Sequence, residues 1–506
     1  MNGPSSQNLK AFFPKPSLPP TSLCPQRFPG IDDDTTETLV KLLRENHVKY
    51  HVLYGERKFH NHIAHRLLAL WALGAQGSII QAYYETDGEL MHKSLKSPAE
   101  ITESNFFEHL GDVDYCSSYS DFFAKEIQVH GTVETLEKFV FSDEYNVDKG
   151  FMLGQYWAGV LHPMIHVGYG MEFGIPGLVA EGLAMGATSD LINSDILGKS
   201  FFKNVPAPDN VALAASSLSS LSLRSDPSSA QAIHGNTDTT VFDVLASILA
   251  DDRLATHKSK DLFTELEFTM NERGSLVRER ADKWTIDVSK PGEIERKIEE
   301  LFWLNTLIYA VAGWSEDKEF RGDFFYMHLV TSALFLPSHV AYLSPRSQIL
   351  LLRSYLTMSL LTYIFRGRPP VDSPAITAFW NGTTTAHSLV TPTGPLSVPH
   401  TPVRAVPADA AQNPNPWLPL VQSAILNEND HHAKIVRALL HCAQVYGSRP
   451  KGHWAGKGGS DAIGGLEVLD GTLFLRAAEL TAWFERDENQ EWGPGHQRWA
   501  FEGFYG

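Results

Sequence analysis

The chain has 506 residues, with 42 lysines and arginines against 59 aspartates and glutamates, for a formal net charge of −17. That balance, with no basic patch carrying interleaved aromatics, argues against a polyanion-binding protein and for a globular one of one to three domains. The three cysteines, Cys24, Cys116 and Cys442, form no CxxC. They argue against a disulfide framework or a thiolate zinc site, and a reducing, cytoplasmic compartment is expected.

Residues 1–35, rich in Pro and Ser, read as an irregular N-terminal tail without a signal-peptide core. From residue 36 to 506 the pattern is that of one large multi-helix domain, all-α in class. "DDDTTETLVKLLRENHVKYH" opens with acids and Thr and then puts Leu39, Leu42 and Leu43 on one face. "HNHIAHRLLALWALGAQGSIIQAYYE" predicts an apolar helix that stops near Gly74. Further helical stretches are predicted over 120–140, 150–195, 240–250, 260–272, 292–313, 320–336, 345–366, 416–447 and 466–485. No series of alternating β-branched strands is present. Two stretches rich in Pro, Ser or Thr, 205–238 and 366–416, read as loops or insertions over the helical body. No run of about 18 apolar residues occurs, so no membrane span is expected.

Common catalytic fingerprints are absent. There is no GxxxxGK[ST], HExxH, HxD, HxE or GxSxG. The glycines of "GYGMEFG" and "GKGGSDAIGG" lack the strand–turn–helix setting of a dinucleotide loop.

The histidines are more informative. His62 and His65 are spaced i, i+3 in "FHNHIAHRLLALWALGA", about 60° apart on a helix, while His60 lies where solvent is expected to reach it. His162 and His166, in "LHPMIHVGYGMEFG", are spaced i, i+4 and stack on one helix face. Pro163 removes a backbone donor and must kink or begin the helix there. His328 stands alone in the apolar "DFFYMHLVTSALFL". Each group by itself reads more readily as core packing. Several imidazoles buried without partners are costly, however, and a shared metal would satisfy them together. In "NENDHHAKIVRALLHCAQVYG", His431, Lys434 and Ala438 lie near one another. Lys434 is either solvated or turned inward. Turned inward, it could ligate as the neutral amine or as a CO₂-derived carbamate, and the site would need no Asp or Glu.

Together, "FHNHIAHRLLALWALGA", "HPMIHVGYGMEFG", "DFFYMHLVTSALF" and "DHHAK" resemble the questin oxidase-like family of fungal secondary metabolism, in that order and over roughly residues 57–447. The resemblance implies oxidative opening of an anthraquinone-type ring. The family includes NADPH-dependent Baeyer–Villiger oxidases, and a non-haem iron dioxygenase holding its metal with histidines and a carboxylated lysine. Carried onto this chain, it implies a metal set among His62, His65, His162, His166, His328 and Lys434, with His166 and Lys434 catalytic. His431 is implied nearby, and Glu172 and Glu181 are candidates to orient imidazoles.

The expectation is therefore a buried Fe(II) site that uses O₂ on an aromatic polyketide, with neutral imidazoles and a modified lysine as donors. Tyr83, Tyr169, Phe173, Phe325 and Tyr326 are candidates to stack on the substrate, or to be plain core. The alternatives are an NADPH-dependent monooxygenase without metal and a non-catalytic helical binding protein.

Overall fold

The computed structural model describes residues 6–54, 59–148, 150–190, 194–203, 205, 238–255, 261–316, 320–383, 414–457, 463–485 and 499–505. The predicted insertion 205–238 lies outside the described residues except at its two ends, and so does the stretch 384–413 within the other. What is described is helical, and its one sheet is a two-stranded ribbon, β1 (Leu53–Tyr54) against β2 (Phe59–His60).

The N-terminal segment is less irregular than the sequence implies. It opens with α1 (Ser6–Phe12), and Phe13 and Cys24 are buried. Arg27 reaches inward to Glu172 at 2.5 Å and lies over the Phe173 ring, so this segment is fastened by a buried charge.

The helix α2 (Asp33–Lys49) is capped by Asp32, whose carboxylate accepts from the Thr35 backbone N–H at 2.7 Å. Its Leu39, Leu42 and Leu43 are buried, as the spacing predicts. The helix α3 (Ile63–Ala72) is buried along its whole length. Gly74 ends it at φ +84, where a Cβ would meet the Pro29 carbonyl oxygen at 2.3 Å. The helix α4 (Gly77–Gly88) follows.

After α5 (Cys116–His130), the predicted 150–195 helix is broken. The helix α6 (Ala158–Phe173) holds three successive left-handed residues, Gly159, Val160 and Leu161, with φ of 52, 58 and 67. For Val160 and Leu161 that backbone is strained, at about 1–3 kcal/mol each. Pro163 then starts the regular helix, where its missing N–H costs little. Gly174 ends it in the left-handed region, and α7 (Pro176–Ala187) packs back on both α6 and α5. Gly182 allows the close approach of α7, since a Cβ there would meet Val167 Cγ2 at 2.7 Å.

The C-terminal half supplies α8 (Glu293–Gly313), α9 (Phe324–Ala333) and α10 (Pro345–Phe365). By length and composition alone α10 is apolar enough to cross a membrane, but 94% of its apolar window is buried in the protein, as in a core helix. Within the stretch expected to be loop, Ser373–Gly382 forms α11, capped by Asp372. The predicted 416–447 helix is two, α12 (Trp417–Leu426) and α13 (His432–Tyr446), split by a turn that carries Asp430 and His431. Last come α14 (Leu473–Phe484) and a segment that bridges Asp323 to Ala500.

Candidate functional site

Five elements bring histidines to one place: β2, α3 with the residue before it, α6, α9 and the turn before α13. Four of the imidazoles form a closed ring. Centroid separations are 4.8 Å for His62–His162, 4.9 Å for His162–His328, 5.0 Å for His328–His431 and 4.7 Å for His431–His62. His60, which solvent was expected to reach, is half-buried and stacks on His162 at 4.1 Å and 3°. The β1–β2 pairing puts it there, and Gly159 admits its ring, which a Cβ would meet at 2.5 Å.

Each member of the ring has an oxygen beside its Nδ1. His62 Nδ1 donates to Asp430 Oδ2 at 2.5 Å, His162 Nδ1 to the Gly159 carbonyl and His328 Nδ1 to the Phe324 carbonyl at 2.7 Å. His431 Nδ1 is 2.8 Å from Asp430 Oδ1, close enough for an ion pair but not aligned as a hydrogen bond. The strained backbone at 159–161 thus has a local effect, because it aims the Gly159 carbonyl at the imidazole three residues on. Asp323 fixes the start of the helix that carries His328. It caps α9 through the backbone N–H groups of Phe325 and Tyr326 and pairs with buried Arg366.

With Nδ1–H committed, Nε2 of each anchored ring carries a lone pair. His62 Nε2 and His162 Nε2 nevertheless face each other at 2.6 Å, and His328 Nε2 and His431 Nε2 are buried without partners. Protonation does not relieve this. Burial pulls the His62 pKa down to about 3 with Lys434 adding to the shift, and burial takes His162 and His328 well below the usual range. Two lone pairs in contact and two buried orphans are what a cation would satisfy, so this donor set fits a metal.

The oxygen donor is the point on which the sequence reading needs correction. No Asp was expected beside the donors, yet Asp430 lies there and holds His62 through its Nδ1. Among the described residues, His62, Asp430 and His431 offer ligand atoms that all lie within 4.8 Å of one another. Asp430 was missed because it precedes α13 and takes no part in its periodicity; its place four residues before Lys434 was the available signal. Lys434 is turned inward, with Nζ 3.5 Å from Asp430 Oδ2. Burial brings its pKa down to about 8 against the pull of Asp430. It lines a cavity of about 10 Å³ together with His65, His162, Tyr169, His328 and Phe335. That is room for roughly one water.

His65 and His166 are brought to the same cluster but are bonded differently. His166 Nε2 donates to Glu181 Oε2 at 2.9 Å, which leaves its Nδ1 to accept from His65 Nε2 at 2.9 Å. Glu181 Oε1 accepts in turn from His47 Nδ1 at 2.5 Å. Glu181 therefore orients an imidazole as expected. Glu172 does not; it is held by Arg27 and Arg437. Of the aromatic candidates, Tyr169 stacks on His65 and lines the cavity. Tyr83 lies under Arg66, Phe173 under Arg27 and Arg437, Phe325 under Arg366, and Tyr326 donates to the Tyr363 carbonyl.

A helical body with imidazoles from distant segments gathered around one small cavity is the setting in which known relatives become informative. The family model described as Questin oxidase-like matches residues 59–439, and the chain belongs to that family. It is 24% identical over 450 residues to a Baeyer-Villiger monooxygenase of Cryptosporiopsis sp., covering 87% of this chain and 88% of that one. Shorter alignments relate it to a Baeyer-Villiger oxidase of Pestalotiopsis fici, 32% identical over 165 residues (30% of this chain, 35% of the relative), and to a questin oxidase of Aspergillus fumigatus, 29% identical over 167 residues (32% and 37%).

Proposed function

We propose that this protein is an O₂-dependent oxidoreductase that oxidatively opens a ring of an anthraquinone-type aromatic polyketide, using a metal, read as iron, held among His62, His162, His328, His431 and Lys434. The substrate class follows the family and the questin oxidase among the relatives. The metal reading rests on one observation, the 2.6 Å contact between two Nε2 lone pairs whose rings are anchored by oxygens at Nδ1.

A bound ferrous ion would supply the one-electron chemistry that couples an electron-rich aromatic anion to O₂. The chain's own residues do the rest. Asp430 and the Gly159 and Phe324 carbonyls fix the tautomers of His62, His162 and His328, so Nε2 is the nitrogen left with a lone pair in each. Burial keeps the imidazoles neutral and excludes bulk water. Lys434, with its pKa near 8, keeps a neutral amine fraction in the physiological range. That is the form that adds CO₂, and the resulting carbamate would replace a repelling ammonium with an oxygen donor.

A second reading is an NADPH-dependent Baeyer–Villiger monooxygenase without metal, favoured by the names of two relatives. One experiment separates them. Protein purified without chelator is assayed for metal and for O₂ uptake with questin, with and without NADPH. About one iron per chain and NADPH-independent turnover support the first reading. Metal-free protein that consumes NADPH sinks it in favour of the second. Metal-free protein with no turnover leaves a binding protein.

A further inference from the structure

We infer that Arg66 is a positioning residue that sets the gap between α3, with His62 at its start, and the turn before α13, which carries Asp430 and His431. The inference rests on the metal reading for its ligand. The contacts of Arg66 are to backbone carbonyls, one carboxylate and one ring, so it does not depend on which imidazole nitrogens hold the ion.

Arg66 lies one turn after His62, and its backbone N–H donates to the His62 carbonyl at 2.8 Å. Its side chain leaves α3 and reaches the turn. Nη2 donates to two successive carbonyls, those of Asn427 and Glu428, both at 2.9 Å. Nη1 pairs with Asp87 of α4 at 2.7 Å, and the guanidinium carbon lies 3.6 Å from the centroid of the Tyr83 ring on the same helix. So α4 holds the guanidinium by charge and by an aromatic face, while its second terminal nitrogen grips the turn. Asp430 then closes the circuit, accepting from His62 Nδ1 at 2.5 Å. His62, Arg66, Glu428 and Asp430 thus tie together two segments that are 361 to 368 positions apart in the chain. Tyr83, a candidate for the substrate on sequence, serves here as the platform for that grip.

The turn needs such a tie because its own bonds are local. The Asn427 side-chain oxygen accepts from the Asn429 backbone N–H at 2.8 Å, and that of Asn429 accepts from the His431 N–H at 3.0 Å. These bonds shape the turn but do not fasten it to α3. Asn429 also donates to Glu485, just past α14, at 3.3 Å, which fastens the turn to a different helix. Arg66 supplies the link to α3. Asn427 sits at the C-terminal end of α12, where carbonyls lack helical partners and a cation is favoured. A guanidinium suits the place, because its rigid fork spans several acceptors at fixed angles, whereas a lysine ammonium is a single point on a flexible stem. Arg66 is 2% exposed, so bulk water does not compete for these carbonyls. A donor set must be held to within about 0.5 Å to be productive. The two rings that face each other across this gap, His62 and His431, have centroids 4.7 Å apart.

The test uses the full chain, Co(II) as the probe metal because its visible spectrum reports coordination geometry, and the variants Arg66→Lys and Arg66→Met. Arg353→Lys is the comparison, since Arg353 is also buried and pairs with Asp282. Arg66→Lys keeps a charge beside Asp87 but cannot span both carbonyls. Expected in Arg66→Lys is a fall in Co(II) affinity of about 10–100-fold, with a changed visible spectrum and faster hydrogen exchange at the turn, residues 427–431. Arg66→Met should lose more affinity. Arg353→Lys should keep the wild-type affinity and spectrum. Wild-type affinity and spectrum in Arg66→Lys overturn the inference, and so does an equal loss in Arg353→Lys, which would reduce the effect to a general softening of the fold. If the wild type binds neither Co(II) nor Fe(II), the metal reading fails, and the positioning role is decided by ¹⁵N-histidine NMR. That role requires a downfield His62 Nδ1 proton in the wild type that is lost in Arg66→Lys; a signal that is unchanged by the substitution, or missing from the wild type, overturns it.

Discussion

Two groups of histidines lie side by side in this protein and have been given opposite electrostatic tasks. In the ring of His62, His162, His328 and His431, oxygens beside Nδ1 leave lone pairs that meet each other or meet nothing. In the chain of His65, His166, Glu181 and His47, every donor between the groups faces an acceptor. The first arrangement is the one a cation, as proposed, would complete; in the second every link is a hydrogen bond, and only His65 Nδ1 on the cavity side is buried without a partner. Proximity to a metal-like cluster is therefore not enough to make a histidine a ligand. What the other ring nitrogen touches is the sharper criterion.

The largest effect that would break this contrast is in metal content. His162→Ala is expected to weaken metal binding by more than about 100-fold, beyond the 10–100-fold typical of an outer brace, whereas His166→Ala should retain metal while losing turnover. Equal metal loss in the two, by elemental analysis of dialysed protein, would erase the distinction. Next is Asp430→Asn. It keeps the shape but weakens the clamp on His62, and metal affinity should fall about 10–100-fold; a competitive chelator titration reads this. Lys434→Met should abolish any stimulation of metal binding by bicarbonate, while the wild type gains a few-fold over CO₂-depleted buffer.

The smallest expected effect concerns stability in acid. Burial alone would raise the Glu181 pKa, but hydrogen bonds from His166 and His47 and their charges more than offset it and hold the carboxyl at about 2. A depressed folded-state pKa contributes stability that is present above the unfolded value, near 4.5, and is lost as pH falls toward 2. The contribution is at most about 3 kcal/mol. Urea unfolding of Glu181→Gln should show a shallower loss between pH 4.5 and 2 than the wild type; identical slopes would mean that the chain contributes nothing to folding.

Helix period alone carried much of this architecture, because long apolar faces such as Leu39, Leu42 and Leu43 announce themselves. The breaks were harder to read. The kink before Pro163 was legible from the proline, but the left-handed backbone of Val160 and Leu161 was not, since neither residue type favours it. The place of Asp430 and the stacking of His60 on His162 were not legible, for a common reason. Both sit in short turns or strands whose orientation depends on partners far along the chain, and local pattern says nothing about those. His47 went unnoticed for the same reason; its partner Glu181 is 134 positions away. Lys434 was legible only as a choice between inside and outside, which the structure resolves as inside.

The ring also bears on how the protein is made. His62 and His162 are 100 residues apart, and His62 is 368 from Asp430. A nascent chain growing from its N-terminus cannot close the ring until the turn before α13 has left the ribosome, well after α3 and α6 have had time to pack. Contacts of such separation are slow to form. If the ring holds the proposed ion, its acquisition is a late event: a chain cut short before residue 431 lacks one side of the ring and would stay empty.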